Sequence, residues 1–78
     1  MGQLIVVVDN GFVYHGEVTI DDGHCLISGA KNIRVWGTNQ GLGQLRNGPL
    51  SDTKLDECGE VIIPLGRVCH YIKANWKA

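Results

Sequence analysis

The chain has 78 residues, a formal net charge of −1, 44% apolar and 19% charged side chains. That length holds one core and leaves no room for a second domain, while the apolar share excludes a disordered chain. The lack of a basic excess argues against a protein that works by neutralising nucleic-acid phosphates.

Residues 4–8 (Leu-Ile-Val-Val-Val) form an apolar run that ends at Asp9-Asn10-Gly11. Asn-Gly supplies the positive φ angles of a type I′ hairpin turn. Residues 12–20 then alternate. Phe12, Tyr14, Val18 and Ile20 share one face, with Gly16 in its middle, and Val13, His15, Glu17 and Thr19 share the other. A glycine at that point suits a strand that bends sharply. Asp21-Asp22-Gly23 marks a second tight turn.

The third strand begins at His24 and runs to Trp36, with Ser28-Gly29 predicted as a bulge that re-aims its second half. Residues 37–59 break the pattern. A connection this long is unusual in a compact domain and is commonly functional. Its leucines, Leu42, Leu45, Leu50 and Leu55, must pack on something. Residues 60–63 resume as a strand, Pro64-Leu65-Gly66-Arg67 reads as one 3₁₀ turn, and residues 68–74 form the last strand, with Trp76 beyond it.

This order resembles the small-barrel layout shared by SH3-like and Sm-like domains. The likeness is carried by Asn10-Gly11…Gly16 and by the closing run Gly59-Glu60-Val61-Ile62-Ile63-Pro64-Leu65-Gly66-Arg67-Val68-Cys69-His70-Tyr71-Ile72. It implies an all-β, five-stranded SH3-like (Sm-like) barrel over residues 1–78, with an insertion at about 37–59. The third strand lacks the acidic and Asn-bearing RNA signature of Sm proteins, so an Sm-like nucleic-acid-binding protein is the alternative reading.

The middle of the chain, Asn32-Ile33-Arg34-Val35-Trp36-Gly37-Thr38, Gly41-Leu42-Gly43-Gln44-Leu45, Gly48-Pro49, Thr53, Leu55-Asp56 and Gly59, is similar to a family of small bacteriophage proteins. That resemblance implies a viral accessory protein in the host cytoplasm. It would inhibit a host defence system by binding a host protein or sequestering a small nucleotide.

Three kinds of chemistry could draw on these residues. His24-Cys25, Cys58 and Cys69-His70 suggest a metal, but strand neighbours point to opposite faces and no C-x₂-C spacing is present. No metal and no cofactor are expected. The cysteines, odd in number and widely spaced, read as free thiols of a reducing cytoplasm, packed as small hydrophobes. No apolar run approaches transmembrane length, and residues 4–8 are too few for a signal peptide.

His15 and Glu17, near Asp21 and Asp22, could pair as acid and base. On an alternating face, however, they read as solvated. Ser28 and Ser51 have no evident base and no nucleophile elbow, so no catalytic residue and no enzyme are expected.

The run from Gly37 to Gly43 offers a row of backbone N–H groups to an anion, without the Lys-Ser/Thr ending of a phosphate loop. Arg34, Arg46 and Arg67 could add charge-assisted bonds. Trp36 is a hot-spot candidate. The expected ligand or partner site is therefore Arg34, Trp36, Thr38, Asn39, Gln44, Arg46 and Arg67. Small domains often complete their cores by association, so a homo-oligomer is expected, with Leu42, Leu45 and Trp76 at its interface.

Overall fold

The protein is described here by a computed structural model that covers residues 2–77. Five strands, β1 (Gly2–Val8), β2 (Val13–Asp21), β3 (His24–Val35), β4 (Lys54–Pro64) and β5 (Val68–Lys73), form one sheet in the order β4-β3-β2-β1-β5. Every pairing is antiparallel. A 3₁₀ helix, Leu42–Asn47, lies in the long connection, and a 3₁₀ turn, Leu65–Arg67, joins β4 to β5. The all-β architecture, the five strands and the order of elements along the chain follow the sequence expectation. Closure does not, because among the described residues no ladder joins β4 to β5 and the sheet stays open along that side.

The sheet nevertheless curls. One cluster, Leu4, Val6, Val8, Val18, Cys25, Ile27, Ala30 and Ile63, takes further packing from Val61 on one edge strand and from Val68 and Tyr71 on the other. Both edges thus meet the same core. The bend passes through Gly16, where a Cβ would sit 2.9 Å from the Ser28 carbonyl oxygen. The register slips on both strands there, between His15 and Glu17 and between Ile27 and Ala30. This slip does what the Ser28-Gly29 bulge was expected to do. It changes the parity of β3, so that Cys25 and Ile27 face the inner cluster while Ile33 faces the other side.

The outer face is covered over much of its area, although Glu17 and Thr19 remain exposed. Ile5, Val13, Ile33, Leu42 and Leu45 form a second cluster, with Val7, Leu55, Ile72 and Ala74 against it. The expectation that His15 stands on a wetted face is overturned, because its side chain has 0% exposure. The covering comes from the 3₁₀ helix and the tail, which are remote in sequence from β2.

One boundary and one turn type also change. The insertion ends at residue 53, since β4 starts at Lys54 and pairs with Val35. The first hairpin is not type I′. Gly11 alone has positive φ, its N–H bonds the Val8 carbonyl at 3.0 Å, and Val8 N–H bonds the Phe12 carbonyl at 2.9 Å. The two-residue turn with both φ positive occurs instead at Asp22-Gly23. Among the described residues, no helix is long and apolar enough to cross a membrane.

Candidate functional site

The connection between β3 and β4 is a folded excursion pinned at its base. The Thr53 hydroxyl donates to the Trp36 carbonyl at 2.7 Å and accepts from Leu50 N–H at 2.9 Å. One side chain therefore brings the Trp36 and Leu50 backbones together. Gly37 crosses against this base with φ 65°, and a Cβ there would lie 2.6 Å from Asp52 O and Thr53 N. Only glycine fits both the dihedral and the space. The result is a fixed platform on which Trp36 is 42% exposed and Leu50 38% exposed.

Beside it opens a cleft of about 530 Å³ lined by Gly37, Thr38, Asn39, Gln44, Leu50, Ser51 and Asp52. Its one charged side chain is acidic. Within the loop the Asn39 and Gln40 N–H groups both donate to Gln44 Oε1, at 3.0 and 3.1 Å. The expected concave row of amides therefore forms over two residues, and the chain's own amide oxygen fills it.

Four of the seven predicted site residues, Trp36, Thr38, Asn39 and Gln44, come together here. The arginines do not converge with them. Arg34 Nε donates to Asp56 Oδ2 at 2.8 Å on the exposed face. Arg46 Nη1 turns back to the Gly43 carbonyl at 3.0 Å. Arg67 Nη1 meets Asp9 Oδ2 at 3.1 Å, where it lines a separate cleft with Tyr14, Val61, Ile62 and Pro64. Exposed pairs of this kind add little stability, but they leave no arginine cluster facing the Gly-rich loop. Sequence reasoning missed Ser51, Asp52 and the Thr53 pin, whose roles depend on a backbone crossing that no local pattern announces.

The residues assigned to a subunit interface are occupied within the chain. Leu45 is fully buried and Leu42 nearly so against the outer face. Trp76 stacks on His15 with ring centroids 3.6 Å apart, and its Nε1–H donates to the Leu45 carbonyl at 2.7 Å. The reason is geometric: the leucines do not need a symmetry mate because the sheet's second face was waiting for them.

The thiols are free, but only Cys25 is buried, while Cys58 and Cys69 are exposed. Burial pushes the Cys25 thiol up. No group of three or more metal-ligating side chains gathers among the described residues. Comparison with known proteins finds no match among family models, curated proteins or solved structures.

Proposed function

We propose that this protein is a non-catalytic binding protein, that the 36–53 excursion is its contact surface, and that its partner is another protein. The observation that supports this reading is the pinned pair Trp36 and Leu50. An exposed tryptophan held by a fixed backbone loses little entropy on binding, and such residues dominate protein interfaces. The resemblance to small bacteriophage proteins supplies the class of partner. It would be a component of a host defence system, blocked by occlusion in the host cytoplasm. The strand order and the 3₁₀ turn before β5 support reading the fold as an SH3-like barrel opened along one side. Self-association, if it accompanies this function, falls to the free edges of β4 and β5.

One observation favours a second reading, sequestration of a small nucleotide. Gln44 Oε1 accepts two successive amides as a phosphate oxygen would. The acidic Asp52 in the cleft and the scattered arginines count against it, as they do against an Sm-like nucleic-acid role.

Affinity capture from a bacterial lysate, using the wild type and Trp36→Ala at matched melting temperature, tests the proposal. A host protein retained at least ten-fold better by the wild type is the expected result. Equal retention by the two overturns it. Stabilisation by cyclic or linear nucleotides in the same preparations would transfer the function to the second reading.

A further inference from the structure

The tail closes over the outer face through His15. Its imidazole has no solvent exposure, and its Nε2–H donates to the Trp76 carbonyl at 3.0 Å. The Trp76 ring lies 2° from parallel with it. With Nε2 as donor, Nδ1 carries a lone pair, and this nitrogen is buried without a hydrogen-bond partner. Such a setting suits neutral imidazole alone. A proton on Nδ1 would put a second N–H donor and a full charge where nothing accepts them.

The surroundings agree. Burial holds the imidazole below its ordinary range, the Trp76 carbonyl opposes this, and the Lys31 charge adds to the lowering. In the ladders Lys31 on β3 stands opposite His15, Glu57 on β4 stands opposite Lys31, and Glu17 lies two residues along β2. The surrounding elements also carry Asp21, His24, Arg34, Lys54, Asp56, Glu60, His70 and Lys73, with Arg46 in the 3₁₀ helix and Lys77 in the tail. Glu17 accepts from Gln3 and Glu57 from Lys31, and neither carboxylate is bonded to Nδ1. Stacking on an indole favours a cation, but by less than burying an unsatisfied charged donor disfavours it.

The geometry points to a pH-operated latch, in which protonation of His15 releases the Trp76 tail while the five-stranded sheet stays folded. The sheet is insulated because the titratable groups packed at its inner cluster, Cys25, Tyr14 and Tyr71, are all pushed up by burial and remain neutral in acid. The sign is fixed by the lowered value in the latched state. The opening constant is smallest above the ordinary imidazole value of about 6.5. It rises by up to about ten-fold per pH unit below that, and levels off once the latched form also protonates.

Opening also frees the 3₁₀ helix. Asn75 N–H bonds the Arg46 carbonyl at 2.9 Å, Asn75 Nδ2 bonds Asn47 Oδ1 at 2.7 Å, and Trp76 bonds Leu45. Gln44 sits on that helix and holds the loop amides. Control of the 36–53 surface by pH therefore rests on the proposed function, whereas the latch itself does not.

The test follows Trp76 emission from pH 8 to pH 4 in a Trp36→Phe background, with far-UV circular dichroism and ¹⁵N shifts of the His15 ring recorded in parallel. Expected are the Nε2–H tautomer at pH 8, a one-proton emission change below about pH 6.5, and an unchanged strand spectrum. His15→Gln, which donates an N–H without titrating, should abolish the change. The latch is overturned by an emission change that survives His15→Gln, or by emission and strand signal falling together. Where His15→Gln does not fold, the parent chain decides the matter. Protonation of the His15 ring at constant Trp76 emission overturns the latch, and joint titration supports it.

Discussion

A Cβ built on Gly16 would lie 2.6 Å from Cγ2 of Ile27. The two residues meet where the sheet bends, so the glycine is a packing requirement as well as a bend. Gly16→Val is expected to cost about 3 kcal/mol through overpacking, and Gly16→Ala about 1–2 kcal/mol, since the alanine Cβ alone must displace the stiff, buried Ile27 methyl and the Ser28 carbonyl while valine adds two further methyls. Thermal melts would show losses of about 4–8 °C per kcal/mol. An unchanged melting temperature for Gly16→Val would mean that the strands pass one another elsewhere.

The two tryptophans should separate in stability. Trp76→Ala removes the stack on His15 and the bond to the Leu45 carbonyl, and it opens the outer cluster. It should cost about 2–3 kcal/mol. Trp36→Ala, on an exposed platform, should stay within about 0.5–1 kcal/mol. Urea titration of both variants measures the difference. A larger loss for Trp36 would place the structural tryptophan on the wrong side of the molecule.

Thr53→Val deletes the hydroxyl that joins Trp36 to Leu50 at nearly constant volume. Because the site is half-exposed, water replaces part of what is lost, and the expected cost is about 1 kcal/mol. The sharper readout is amide exchange at Leu50, which should accelerate in Thr53→Val and return to normal in Thr53→Ser. Unaltered exchange would show that the platform is held by something else.

Thiol accessibility gives a fourth measurement. Cys58 and Cys69 should react with an aromatic disulfide reagent in the native protein, and Cys25 only after unfolding. Three fast thiols would place Cys25 outside the inner cluster. The exposed pair also means that oxidation should create covalent dimers, which reducing agent removes.

Much of this was readable from local pattern. The bent second strand, the slip at Ser28-Gly29, the Asp22-Gly23 turn and the 3₁₀ turn after Pro64 each follow from residues adjacent in the chain. What escaped depends on distant partners. Val13, His15, Glu17 and Thr19 alternate like a wetted face, and only the arrival of Leu42, Leu45 and Trp76 from far along the chain buries the first two. The same cause hid the packing of Leu42 and Leu45 within the chain, on Ile5, Val13 and Ile33. In the excursion, Trp36, Thr38, Asn39 and Gln44 could be grouped from sequence because they are near neighbours in the chain, set among glycines and polar residues. Arg46 and Arg67 were grouped by charge alone, and each found a nearer acceptor.

The pairing of Val35 with Lys54 has an engineering consequence. These two residues are neighbours in a ladder, so the backbone alone would accept a short hairpin turn in place of residues 36–53. The side chains would not. Excising the excursion strips Leu42 and Leu45 from Ile5, Val13 and Ile33 and removes the anchor of Trp76. The shortened product would be a sheet wetted on a face made of isoleucine and valine, the composition that seeds aggregation. The excursion therefore serves as the lining of the second face, and a minimal version of this domain must keep the lining or replace those three residues with polar ones.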